Sequence, residues 1–267
     1  MADLDRSFFL DALRRESAEF SRAARHNADR TDVTVPGCPD WNLTDLVLHL
    51  GGVHRHVGFR VRNRIYPFRR FTDDEFAGMM GLSDEYWGWY ETQSPRDRPL
   101  PAELVSWFED GAARLAESLE SASPDEPVGT WFEPNQTAGF WQRRMAQETG
   151  VHRWDAQSVG GDMQPIERRL AADGVDEVLD VMVPADEMRG NGESIHFHST
   201  DGAGEWLLRM EPEGTVVTRE HARGDAAVRG AVSDLLLYLW GRPVEDHIDV
   251  IGDPSAVEKF FAAVDGS

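Results

Sequence analysis

The chain has 267 residues, of which 40% are hydrophobic and 10% aromatic, enough for a large core and two domains and too apolar for a disordered chain. Lys+Arg total 27 against 48 Asp+Glu, a net charge of -21. Phosphate backbones and anionic lipid would repel such a chain, which argues against nucleic-acid and membrane partners.

A single cysteine, Cys38, excludes an intrachain disulfide and fits a reducing compartment. The opening MADLDRSFFLDALRRES carries acids where a secretory leader needs bases, and no apolar run approaches the length of a membrane span. A cytoplasmic location is expected.

Residues 3–27 read as a first helix, with Phe8, Phe9, Leu13 and Phe20 at helical intervals. TVPGCPDWN follows as a connection marked by Pro and Gly. Asn42 or Thr44 then caps a second helix through LTDLVLHLGGVHRHVGFRVRN, with an apolar stripe of Leu43, Leu46, Val47, Leu50, Val53 and Val57. The stretch from Tyr66 to Arg98 reads as irregular, with one short helix around Asp84–Tyr90. Pro101 opens a third long helix, PAELVSWFEDGAARLAESLES. After a loop, a fourth runs from about Phe140 to Val159. Four long helices joined by variable loops predict a bundle over residues 1–160.

GGDMQP (160–165) reads as a linker. Beyond it, over 166–267, a smaller α+β domain is expected. A helix spans about Ile166–Met182. Short strands follow in SIHFHST, EWLLRM and TVVTRE, separated by DGAG and EPEG. AAVRGAVSDLLLYLWGR returns to helical spacing, and DPSAVEKFFAAV closes as a helix capped by Asp253. The fold class is therefore α+β, a four-helix bundle followed by a smaller mixed domain.

The fourth helix carries the unusual pattern. Trp141, Met145, Glu148, His152, Asp155 and Val159 fall on one stripe, because residues three and four apart are neighbours. Three titratable groups thus align with a tryptophan, a methionine and a valine. Inward polar groups need partners, and a metal ion is one. Glu148 and His152 are four apart and reach the same point above the helix. A third ligand would come from the second helix, which offers His49, His54 and His56. Wheel geometry does not choose among these, although His54 is marginally nearer the stripe's centre. Spacing alone also fits a hydrogen-bonded surface pair, with Arg144 bridging Glu148.

VPGCPDWNLTDLVLHLGGVHRHV and RRMAQETGVHRWDAQ together resemble the mycothiol-dependent maleylpyruvate isomerase family, within the DinB-like metalloenzyme superfamily. The shared features are a Trp shortly before a D-L-V-x-H-L helix and a later E-x-x-x-H-R-W-D helix. AVSDLLLYLWGR is similar to that family's second domain. The resemblance implies a DinB-like bundle. It also implies a divalent metal, usually Zn2+, held by His49, Glu148 and His152; it is the resemblance that selects His49. His54 and His56 are then expected to be exposed or to line the pocket.

Several other residues have two readings. Asp155 accepts a hydrogen bond from the His152 ring, or pairs with Arg153 or Arg144. Trp41 and Trp154 pack the bundle. Cys38 lacks an activating His nearby and reads as a structural thiol. His196 and His198 alternate with Ile195 and Phe197, as sheet-surface residues do. Arg242 caps the end of its helix; the resemblance adds a role at the pocket, clamping a substrate carboxylate.

Two neutral ligands and one anion leave a zinc site positive, which favours ionisation of a thiol bound at its open position. The chain has no convincing nucleophile of its own. The resemblance supplies mycothiol, a small-molecule thiol of actinobacteria, and an electrophilic substrate such as maleylpyruvate. Thiol addition to the cis double bond, rotation and elimination would give the trans isomer; a retained conjugate would make the chain an S-transferase. The alternative is a metal- or ligand-binding regulatory protein without turnover.

Overall fold

The computed structural model describes residues 4–186 and 188–265. These divide into two units at Gln164–Pro165, inside the 160–165 stretch.

The first unit is helical. α1 (Arg6–His26) begins at Asp5, whose side chain accepts from Phe8 N. α2 (Leu43–Arg62) begins at Asn42, not Thr44. Asn42 Oδ1 accepts from Thr44 N (2.8 Å) and Asp45 N (3.0 Å), while Asp45 Oδ2 accepts from Asn42 N (3.0 Å). This reciprocal cap satisfies amides that have no partner inside the helix. The remaining carboxylate oxygen of Asp45 accepts from Ser94 N at 2.8 Å, tying a distant loop to the start of α2.

The stretch expected to be irregular holds two short helices, α3 (Asp73–Met80) and α4 (Asp84–Glu91). Only the second was expected. α3 begins with a Thr72–Glu75 capping box and ends at Gly81, whose φ of 59° is left-handed and suits glycine. α5 (Ala102–Ser121) follows Pro101, and α6 (Ala138–Ser158) follows Thr137. α1 packs on α5 and α6, and α2 on α5 and α6, completing the four-helix bundle. Phe20, Leu46, Leu50 and Phe108 are fully buried within it, with the Phe20 and Phe108 ring centroids 4.5 Å apart.

α6 departs from an amphipathic surface helix. The stripe of Trp141, Met145, Glu148, His152, Asp155 and Val159 is buried, but so are Gln142, Arg144, Gln147, Thr149 and Arg153 on its other sides. No residue of α6 is exposed. Its polar side chains must therefore find partners within the protein.

The second unit is a mixed sheet with helices. α7 (Arg168–Glu177) runs into a π turn at Val178–Met182. β1 (Glu193–Ser199), β2 (Glu205–Glu211) and β3 (Gly214–Thr218) form an antiparallel meander. The segment after it corrects the sequence reading. Ala226–Gly230 is a strand, β4, and the helix α8 starts only at Val232 and runs to Leu239. A further strand, β5 (Asp249–Gly252), was not expected. α9 (Pro254–Asp265) closes the unit, with Asp253 Oδ1 accepting from Ser255 N at 3.0 Å.

AAVRG is alanine-rich and runs straight into a helix, so local propensity favours continuing that helix. Pairing on both sides overrides it: β4 lies parallel to β1 and antiparallel to β5, giving the order β3-β2-β1-β4-β5. Ile195, Phe197, Trp206, Leu208 and Val228 face one side of the sheet and are buried there, with Phe260 of α9 against Phe197. Among the described residues no helix is long and apolar enough to cross a membrane.

Candidate metal centre

Capped at Asn42, α2 carries His49 just under two turns on. α6 carries Glu148 and His152 one turn apart. Where α2 and α6 pack, the three side chains converge. His49 Nε2 lies 3.4 Å from Glu148 Oε1, and His152 Nε2 lies 3.3 Å from the same oxygen. The two imidazole centroids are 5.1 Å apart, and one ligand atom from each residue lies within 4.8 Å of the others.

The surroundings fix each group. Arg144, one turn before Glu148 and also buried, pairs with Glu148 Oε2. That leaves Oε1 directed at the two imidazoles. Burial opposes ionisation of Glu148, but the Arg144 charge and the hydrogen bonds of His152 and His49 outweigh it and hold the carboxyl well below its usual range. His152 Nδ1 lies 2.9 Å from Asp155 Oδ2. This is the ring hydrogen bond of the first reading of Asp155; Arg153 pairs with Glu16, and Arg144 with Glu148. Burial lowers the His152 pKa, whereas Asp155 and Glu148 raise it by more, so the net shift is upward. Trp41, expected only to pack the bundle, also lies against the site, its ring 4.6 Å from that of His49.

His49 is the member that reaches solvent, its side chain 34% exposed against 11% for Glu148 and 5% for His152. A cavity of about 200 Å³ opens beside it, lined among others by Trp41, Leu48, Trp89, Tyr90 and Gln93. Two imidazole nitrogens and a carboxylate oxygen are a zinc donor set. The Asp155 contact is the support that a ligating imidazole commonly has on its other nitrogen. The residues present therefore fit a divalent ion.

The other histidines of α2 differ from each other. His56 is half-buried beside Phe76 and Trp141. His54 is fully buried, not exposed, and its Nε2 lies 2.9 Å from Thr149 Oγ1. Thr149 donates its single hydroxyl proton to Met145 O at 2.6 Å, so His54 Nε2 must be the donor in that pair. His54 Nδ1 is then an unprotonated acceptor, and among the described residues no hydrogen-bond partner reaches it.

Burial pushes the His54 pKa down to about 3, against partial opposition from Glu148. Below pH 6.5 the unfolded chain gains a proton at this ring that the folded chain refuses until about pH 3, so stability falls as pH drops through that window. Between about pH 7.5 and about pH 4.5 the wild type should lose about 2–3 kcal/mol more than His54→Gln. Urea titrations of both proteins at the two pH values check this; parallel losses would refute it.

Arg242 belongs to the second unit. Its Nη1 donates to Trp240 O at 2.7 Å, and its guanidinium lies 5.5 Å from the Trp240 ring centroid. These contacts hold the end of α8, the capping role. Cys38 sits partly buried in the turn before α2, where its backbone N donates to Val35 O.

Residues 10–157 match the family described as the mycothiol maleylpyruvate isomerase N-terminal domain, and residues 169–259 match its C-terminal domain. The fold is similar to the crystal structure of the mycothiol-dependent maleylpyruvate isomerase, with a TM-score of 0.58 and 16% identity over 93% of each chain. It is equally similar to a histidine-to-alanine mutant of that isomerase, with a TM-score of 0.59 and 15% identity over 93% of each chain. At these identities the likeness speaks for the fold alone. No curated protein matches the chain in sequence. With more than half of its residues in the N-terminal match, the chain belongs to the mycothiol maleylpyruvate isomerase family.

Proposed function

We propose that the chain is a metal- and mycothiol-dependent isomerase or S-transferase acting on a small electrophile such as maleylpyruvate. The observation that carries this reading is the convergence of His49, Glu148 and His152 in a member of this family. In the proposal these three hold a divalent ion, zinc by preference. Such an ion supplies positive charge that lowers the pKa of a thiol at its open position.

The chain's own residues prepare that position. Arg144 keeps Glu148 ionised and turned away from solvent. Asp155 holds the proton at His152 Nδ1, which leaves Nε2 as the ligating atom. Trp41 covers one side of the His49 ring, and the cavity beside His49 gives a thiol and its partner a way in. Arg242 is assigned to the substrate carboxylate on the resemblance alone.

Product analysis with mycothiol and a panel of electrophiles tests the reaction. Isomerised product with thiol regenerated marks an isomerase, and a stable conjugate marks a transferase. Silence across a broad panel would defeat both. Asp155→Asn should weaken metal binding at this site about 10–100-fold, because the His152 tautomer loses its support. Competition with a chromophoric chelator measures that affinity, and an unchanged value would remove Asp155 from the scheme.

A further inference from the structure

The sheet of the second unit carries another group of convergent donors. In the β1–β2 ladder His198 lies directly opposite Glu205, and His196 is two residues further along β1. Side chains two apart, and those directly opposite, share a face. His196, His198 and Glu205 therefore stand together on the face away from Phe197 and Trp206. A third imidazole comes from outside the ladder: His221 lies in the segment after β3, which returns over this face.

Glu205 is the hub. Its Oε2 lies 2.5 Å from His196 Nε2, and its Oε1 lies 2.8 Å from His198 Nδ1 and 3.2 Å from His221 Nδ1. The three ring centroids are 5.3, 5.8 and 6.1 Å apart. One ligand atom from each of the four residues lies within 4.8 Å of the others. Three of the chain's nine histidines, from two separate segments, thus meet at one carboxylate of a third.

We propose that His196, His198, Glu205 and His221 form a second zinc site, distinct in residues and in role from the one on α2 and α6. Three imidazoles and a carboxylate are a donor set that first-row divalent ions, zinc among them, accept. Four protein ligands leave no open position, so the site is structural. Bonds of about 2.0–2.1 Å place tetrahedral ligands about 3.3–3.4 Å apart, so the donors must draw in slightly. The member free to do so is His221, on a loop with its side chain 78% exposed, while His196 is buried on its strand. Zinc would thus fasten the segment after β3 to the sheet. The proposal does not depend on the function assigned to the first unit.

The test is zinc stoichiometry and affinity on the full-length chain, free of any histidine tag and stripped with chelator. The wild type should bind two equivalents, and His221→Ala and the pair His198→Ala/His221→Ala one. His152→Ala should keep the sheet-bound equivalent. Losing a ligand should weaken that equivalent by more than the about 10–100-fold typical of losing a supporting partner. His221 is exposed, so its replacement leaves the fold intact. In a His152→Ala background, Co2+ should give the ligand-field bands of a four-coordinate site, and hydrogen exchange near residue 221 should slow on adding Zn2+. A His152→Ala protein that binds no zinc would overturn the proposal. So would one whose bound zinc is indifferent to His198→Ala/His221→Ala.

Discussion

His152→Ala is expected to abolish metal binding at the helical site and to lower mycothiol-dependent turnover about 10³-fold. A metal acting as a Lewis acid contributes several kcal/mol to a reaction barrier, and about 4 kcal/mol corresponds to three orders of magnitude. The variant removes an imidazole that Glu148 and Asp155 both address. It also leaves the fully buried Asp155 without its imidazole, which costs about 1–3 kcal/mol in stability. His49→Ala separates the two effects, because that ring is half-exposed and its removal disturbs the bundle less. Both variants should lose one metal equivalent by elemental analysis while keeping the helical circular dichroism of the parent. Retained metal and retained turnover in both would remove the helical site from the chemistry.

The largest loss of stability is expected from Arg153→Ala. Arg153 adjoins His152 on α6 and points to another side of the helix. Its Nε lies 2.8 Å from Glu16 Oε2 on α1, and both side chains are only 4% exposed. The same guanidinium donates to Gln157 Oε1 at 2.8 Å and to the Gln164 carbonyl. Truncation would leave the Glu16 carboxylate buried, with the half-exposed Arg15 beside it at 3.0 Å. Breaking a buried pair from one side costs about 3–5 kcal/mol. Replacing both partners, as in Glu16→Leu/Arg153→Met, should recover much of that, because no charge is left stranded. Chemical denaturation of the three proteins decides; a single variant within about 1 kcal/mol of wild type would contradict the argument.

The legible parts of this molecule are those in which local chemistry and tertiary packing agree. The apolar intervals of α1, α2 and α5 announce long helices, and D-W-N-L-T-D marks the start of α2. Thr72 and Glu75 carried a readable cap signature, but eight residues with little apolar periodicity did not read as α3. The strand Ala226–Gly230 and the edge strand Asp249–Gly252 are set by lateral pairing, which no local window contains. At the candidate centre, the i, i+4 spacing pairs Glu148 with His152, but only the packing of α2 on α6 determines which histidine meets them. The wheel left three histidines open and leaned slightly to His54, which instead bonds Thr149. His196 and His198 were legible as one face of a strand. Glu205 and His221 were not readable as their companions, because register and loop return bring them there.

The burial of α6 on every side has an evolutionary consequence. A rod with no exposed residue can rarely accept a new side chain without disturbing several neighbours at once, so drift along it is costly. The cavity beside His49 is walled partly by Trp89 and Tyr90 of the short α4, none of whose residues is buried. The wall of that cavity can therefore change on α4 at less cost to packing than a change on α6 would bring.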